Sequence, residues 1–531
     1  MLRTTLSFSR LLSGGGSGMS ATILLAWLGN VLLLLLVVVP ENVSAVRRLP
    51  NDQRGAMERA LQSSLYNHSS SSHRRLAAAD VTVPTDPNDH LVTNLPLLKE
   101  GALPTQHWAG LLPASGEGDK YFFYWLFAPD TSDVKTSVAE ENIPLLIWLN
   151  GGPGCSSMDG LFLENGPIRI QKTGDSYEVV AAEYSWHKAP AYTLYIDQPV
   201  GTGLSFTTSR KYPRNDKEVD TDFYYFLQSF LSLHADKFVS NQQRVKRPLY
   251  FSGESHAGHY IPSMMAFILD QNEKAAEHGN IFIPLAGAAI GNGWVDPFHQ
   301  YSAAHAAYGH SLIDRAQLAS LNEKEKTCQN ALNSNRLVSP VCFNLLDDVV
   351  GQSFGATSNF KVSQYDVRKT EAKRGSREFP PGHKVVEGYL GGHGGFDASV
   401  TEAVLEAIHA TPSRAAGQIY MECTDPPYDA LSHQDGLGVV NEVVQILQHQ
   451  VEGEDAIRLL FFNGVTDLIC NHYGNEVMLE ELPWQYQQQW ITSQRTAWKS
   501  ELQGDDKISG YMKEYKNLLF LKGTCLMLLL L

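Results

Sequence analysis

Gly253-Glu254-Ser255-His256-Ala257-Gly258-His259-Tyr260 follows the apolar run Pro248-Leu249-Tyr250-Phe251 and precedes Ile261, Met264, Met265, Phe267 and Ile268 at helical spacing. A strand, a sharp Gly-x-Ser-x-Gly turn and a helix are the context a nucleophile elbow requires. Gly253 stands where a Cβ has little room, and Gly258 lets strand and helix approach closely. Ser255 is expected at the exposed tip, its oxygen near the positive end of the helix. The pentapeptide alone recurs by chance; with these flanks the chain reads as a serine hydrolase.

Leu145-Leu146-Ile147-Trp148-Leu149 reads as a buried strand emptying into the glycine-rich loop Asn150-Gly151-Gly152-Pro153-Gly154-Cys155-Ser156-Ser157. An α/β-hydrolase takes its second oxyanion donor from a loop upstream of the nucleophile. Bare N–H groups there meet developing negative charge, often the largest electrostatic contribution to acyl transfer. A plain Gly-Pro turn would explain this loop alone, but not the loop paired with the elbow. Apolar runs near 191–196, 248–252, 283–290 and 457–462 read as further buried strands. Phe223, Phe226, Leu227, Phe230 and Leu231 give Asp222 to Phe238 the spacing of an amphipathic helix, its aromatics facing a core. The fold class expected is α/β.

The chain resembles the serine carboxypeptidases. Trp148 to Ser157, Ile196-Asp197-Gln198-Pro199-Val200-Gly201-Thr202-Gly203, Gly253 to Tyr260, Ile290-Gly291-Asn292-Gly293-Trp294 and Asn463-Gly464-Val465-Thr466-Asp467-Leu468-Ile469-Cys470-Asn471 stand in family order, over about residues 95 to 520. Ser157-Met158-Asp159-Gly160, Gly293-Trp294-Val295-Asp296-Pro297 and Phe462-Asn463-Gly464 look most like the fungal pheromone-processing type, which removes carboxy-terminal Lys and Arg. The resemblance implies an α/β-hydrolase core in two parts, 95–296 and 431–520, with a largely helical cap insertion at 297–430. It implies Ser255 as nucleophile, Asp467 as triad acid, and the N–H groups of Gly152 and His256 as oxyanion hole. Asn150, the Gly151 N–H and Glu254 match the group that holds the substrate's terminal carboxylate. Asp467 also follows an apolar strand after the nucleophile, as topology wants; a turn-capping Asp is the alternative. Cys155 and Cys423 match a family disulfide, and Cys470 matches a free thiol near the site. Cys328 and Cys342 read as a local pair, although sequence alone leaves connectivity open.

Glu254 needs a physical reason, because a carboxylate should repel a carboxylate. Two acids in one buried site share a proton, and the protonated one can donate to the substrate. Glu164 is the expected neighbour, and an acidic optimum follows. Asp159 lies just past the oxyanion loop, at a position lining the leaving-residue pocket in related enzymes. A carboxylate there favours a Lys or Arg side chain; the alternative is a helix cap.

One element departs from the family. The triad requires a His after Asp467. The family carries it beyond the segment resembling Gly510 to Phe520, in a Gly-His-Met-Val-Pro type motif; Leu521 to Leu531 follows here instead. His472 is the one His after Asp467, in the turn leaving the same strand; His393 precedes it, and His256 and His259 belong to the elbow helix. None is assigned the base role. The expectation is a sequence truncated before the catalytic His, with 521–531, Cys525 included, an aberrant tail.

Arg3 and Arg10 precede an apolar run from Ala21 to Val39, and Val43-Ser44-Ala45 has the small residues of a cleavage site, so 1–45 reads as a signal peptide or an uncleaved anchor. Residues 46–94 read as a linker or propeptide, with a glycosylation acceptor at Asn67-His68-Ser69. Six cysteines suit an oxidising, secretory compartment. The formal net charge of -15 argues against nucleic acid as a partner. No metal site and no cofactor are expected; the partners are peptide or protein C-termini, with a membrane only if the anchor is retained. Three functions stay open: a secretory exopeptidase, a non-catalytic binder of peptides or proteins, and an acyltransferase on the same scaffold.

Overall fold

The computed structural model describes residues 81–99, 101–103, 105–130, 143–353, 360–372, 382–450, 455–499 and 507–523. The signal or anchor segment, the linker up to residue 80, Asn67, Cys525 and tail residues 524–531 lie outside the described residues.

Fifteen strands are described: β1 His107–Pro113, β2 Lys120–Phe127, β3 Leu145–Leu149, β4 Ile168–Thr173, β5 Ser176–Ala181, β6 Tyr192–Ile196, β7 Phe206–Thr207, β8 Leu249–Glu254, β9 Leu285–Gly291, β10 Phe360–Val362, β11 Thr370–Ala372, β12 Arg458–Gly464, β13 Arg495–Trp498, β14 Gly510–Tyr515 and β15 Leu518–Gly523. The main sheet has the order β1-β2-β6-β3-β8-β9-β12-β15-β14-β13, with β7 on β2. From β6 to β15 neighbouring strands run parallel, and antiparallel strands flank them. Parallel strands are covered on both faces, which is why β3, β8 and β12 read as continuous apolar runs. Along β2, Phe122, Tyr124 and Leu126 join one core and Tyr121, Phe123, Trp125 and Phe127 the other. Period-two alternation thus serves two cores at once.

The helix expected from Asp222 begins earlier, at Asp216, and ends at Leu233. Asn215 starts it: its Oδ1 accepts from the Glu218 N–H at 3.0 Å, and its Nδ2 donates to Glu218 at 2.9 Å. Phe223, Phe226 and Phe230 pack with Met264 and Met265 of the elbow helix Ala257–Asn272 and with Phe251 of β8. Between β9 and β12 the described chain is mostly helical, including Arg315–Asn333 and Pro340–Gln352, which the Cys328–Cys342 disulfide joins.

Two expected boundaries shift. Leu521, Lys522 and Gly523, read as the start of an aberrant tail, complete β15 and pair with Phe462, Asn463 and Gly464 of β12. The parallel pairing with β12, and not the propensity of Lys522 or Gly523, makes them strand. Likewise Val81, His90 and Val92, read as linker, are buried, and Leu91 bridges Trp108. Among the described residues, no helix is long and apolar enough to cross a membrane.

Candidate active site

Ser255 sits between β8 and the elbow helix with φ +56°, the left-handed conformation of a strained turn. The turn closes because its surroundings are bare. A Cβ on Gly253 would lie 2.3 Å from the Leu149 carbonyl oxygen, and one on Gly258 would lie 2.6 Å from the Gly293 Cα. A Cβ on Gly151 would lie 2.4 Å from the His256 backbone nitrogen, so the glycine loop packs directly on the elbow. Gly152 has φ +114°, open to glycine alone, and is exposed beside the tip.

Asp197 braces this loop. Its carboxylate accepts from Ser156 Oγ at 2.6 Å, from the Ser157 N–H at 3.0 Å and from the Leu204 N–H at 2.9 Å. Burial still pushes it up to about 6. Ser157 Oγ donates to the Ile196 carbonyl at 2.6 Å and accepts from the Asn150 N–H at 3.2 Å. Cys155 and Cys423 are disulfide-bonded across 268 residues, and the Ser156 N–H donates to the Glu422 carbonyl at 2.7 Å.

Asn150 Oδ1 accepts from Trp148 Nε1 at 2.7 Å and from the Gly160 N–H at 3.2 Å, which orients its amide. Its Nδ2 then donates to Glu254 at 3.0 Å and to Glu164 at 3.3 Å. The two carboxyls expected to share a proton do face each other. Burial pushes Glu254 up to about 7. Burial and the adjacent Glu254 charge hold Glu164 well above the usual carboxylate range. Arg169 pins the Glu164 turn by donating to the Glu164, Leu161 and Gly166 carbonyls.

Asp159 is buried and precedes the short π-helical turn Gly160–Glu164, but its side chain makes no cap hydrogen bond. The helix-cap alternative is therefore not what this side chain does. Burial first, then the charges of Glu422, Glu164, Asp197 and Glu254, hold it well above the usual range. Glu422 and His383 complete its surroundings, with His383 Nδ1 2.9 Å from Glu422 Oε1. Neither was singled out in the sequence. An acid beside a disulfide cysteine was the available signal for Glu422; His383 carried none.

Asp467 follows β12. Its Oδ1 accepts from the Ile469 N–H at 2.9 Å and the Cys470 N–H at 3.4 Å, and its Oδ2 from Asn292 Nδ2 at 3.0 Å. Burial pushes it up to about 7. Cys470 is a free, buried thiol in contact with the Ser255 side chain. Among the described residues, no imidazole hydrogen-bonds to Asp467. His472 begins the helix His472–Glu481, and burial lowers it to about 4. His256 is lowered to about 3 by burial and stacks on His259, whose Nε2 meets Asp216 at 3.0 Å. His393 lies exposed in the glycine-rich stretch after the helix His383–Tyr389.

Asn292, present in a signature segment but given no role there, proves central. It is buried with φ +37°, donates to the Gly464 and Cys470 carbonyls and to Asp467, and accepts from the Gly464 N–H at 2.8 Å. Asn292→Ala orphans these groups, each costing about 1–3 kcal/mol. Urea unfolding is expected to show a loss of at least that size, whereas an unchanged midpoint would mean that water replaces the amide.

With this geometry in place, comparisons define the class. Residues 96–523 match the family described as Serine carboxypeptidase. The chain is 35% identical over 441 residues to a serine carboxypeptidase family member of Dictyostelium discoideum, covering 82% of this chain and 72% of that protein. It is 33% identical over 443 residues to the pheromone-processing carboxypeptidase KEX1 of Phytophthora infestans, covering 82% of this chain and 68% of that protein. The crystal structure of KEX1(delta)p, a prohormone-processing carboxypeptidase from Saccharomyces cerevisiae, is similar with a TM-score of 0.67 and 25% identity, covering 82% of this chain and 91% of that one. The chain belongs to the serine carboxypeptidase family, a family of peptidases, and has the α/β-hydrolase fold.

Proposed function

We propose that this protein binds the C-terminus of a peptide in the Asn150, Gly151, Glu254 and Glu164 cluster and presents the last peptide bond to Ser255. The observation that carries this reading is the pair of buried carboxyls, Glu254 next to Ser255 and Glu164, both bonded to the Asn150 amide. The substrate carboxylate accepts hydrogen bonds from the Gly151 N–H and protonated Glu254, and from the Asn150 amide as it releases one of the two carboxyls. Ser255 Oγ adds to the scissile carbonyl, and the N–H groups of Gly152 and His256 receive the oxyanion. Collapse breaks the C–N bond and expels the terminal amino acid as its amine, which takes the proton that Ser255 gave to the base, and leaves an acyl-enzyme that water cleaves, returning a proton to Ser255. Asp467 orients the base of this cycle, a role assigned to no residue of the sequence. Asp159 and Glu422 favour a terminal Lys or Arg. The two disulfides and the apolar segment 21–39 support a site of action in the secretory pathway.

A second reading, a peptide-binding protein without turnover, is favoured because, among the described residues, Asp467 is met by Asn292 and two backbone N–H groups and by no imidazole. Binding tests the shared premise of both. A fluorescent peptide ending in free Lys should bind, at mild acid pH, about tenfold or more tighter than the same peptide amidated. Asp159→Thr should weaken the Lys-ended peptide about tenfold and leave a Leu-ended one unchanged. Equal binding of acid and amide would overturn the carboxylate site, and equal weakening of both peptides would overturn the basic pocket.

A further inference from the structure

Asp159, His383 and Glu422 come from three segments far apart in the chain, yet they bring one imidazole nitrogen and two carboxylate oxygens within 4.8 Å of one another. His383 Nδ1 lies 2.9 Å from Glu422 Oε1 and 3.9 Å from Asp159 Oδ2. Asp159 is 5% exposed, and its second oxygen, Oδ1, has no hydrogen-bond partner. A buried carboxylate oxygen without a donor is costly unless something positive meets it. The Cys155–Cys423 disulfide holds the segments of Asp159 and Glu422 together, so the cluster needs no large movement to close.

We propose that Asp159, His383 and Glu422 form a binding site for a divalent transition cation, with zinc the best match. A nitrogen and two carboxylate oxygens are a zinc donor set with one position left open, whereas calcium and magnesium prefer oxygen alone. Ligand atoms on zinc at about 2.0–2.2 Å stand roughly 3.3 Å apart, so the cluster contracts modestly around the ion. The ion would occupy the same negative pocket as a terminal Lys side chain, and each would exclude the other. The inference goes beyond the peptidase reading, and its test involves neither substrate nor turnover.

The experiment is calorimetric titration of the full chain at neutral pH with zinc chloride, then magnesium chloride. One saturable zinc site is expected, with no comparable magnesium binding. His383→Gln and Asp159→Asn should each weaken zinc at least about tenfold, the low end of what even outer-sphere changes cost. Thermal melting verifies that each variant is folded; should His383→Gln not fold, the isosteric Asp159→Asn decides alone. Absence of saturable zinc binding, or unchanged affinity in the folded variants, would overturn the site.

Discussion

The polypeptide Met1–Leu531, assayed on a peptide ending in Lys at mild acid pH, is expected to turn over roughly 10⁴ to 10⁶-fold more slowly than the Saccharomyces cerevisiae enzyme it resembles, the usual cost of a serine and an acid that no imidazole joins. The reason lies in who touches Asp467. Its carboxylate is taken up by Asn292 and by the backbone of Ile469 and Cys470. The Ser255 side chain contacts a thiol that burial keeps protonated, not a base. An unactivated hydroxyl is a weak nucleophile. Ser255→Ala should therefore remove little of the residual rate. Turnover within a hundredfold of the yeast enzyme, abolished by Ser255→Ala, would show that one of the imidazoles in this chain reaches the serine. Peptide binding should survive in either case, since the carboxylate cluster does not include Asp467.

The second large effect is on affinity against pH. Burial raises the Glu254 carboxyl to about 7, so below that pH it is protonated and, on the proposed reading, donates to the peptide carboxylate. The peptide's own terminus ionises near 3.3–3.7 and stays charged throughout. Above about 7, Glu254 ionises and repels it. Affinity should be level from mild acid to near neutrality and then fall, approaching about tenfold per pH unit as one proton must be taken up on binding. Glu254→Gln keeps a donor without a titration and should flatten the profile. Fluorescence anisotropy from pH 5 to 8.5 measures both. Affinity that rises from mild acid to pH 8, or a slope that persists in Glu254→Gln, would contradict the protonated-carboxyl account.

What could be read from the chain was what is local. The elbow, the glycine loop and the central strands are contiguous segments whose periodicity and glycine placement report their own geometry, and each lies where its pattern places it. The start of the helix at Asp216 was missed because Asn215 and Glu218 form the cap outside the apolar stripe. Leu521 to Gly523 looked foreign because a run of leucines reads alike in a tail or a strand; only pairing with β12 decides. His383 and Glu422 were beyond local reading altogether. Their meaning arises from a disulfide and a fold that bring residues hundreds of positions apart to one point, and neither carries a pattern of its own.

The Cys155–Cys423 tie has a consequence for how such a protein changes over generations. Glu422 adjoins one cysteine and Asp159 lies shortly after the other, so both side chains project from backbone that is covalently anchored. Substitution at either position alters the charge of the pocket while the anchor and the elbow stay put. On the proposed reading of that pocket, one or two exchanges there change the preference for the departing residue while the disulfide stays in place. A scaffold of this kind separates the chemistry it preserves from the selectivity it is free to rewrite.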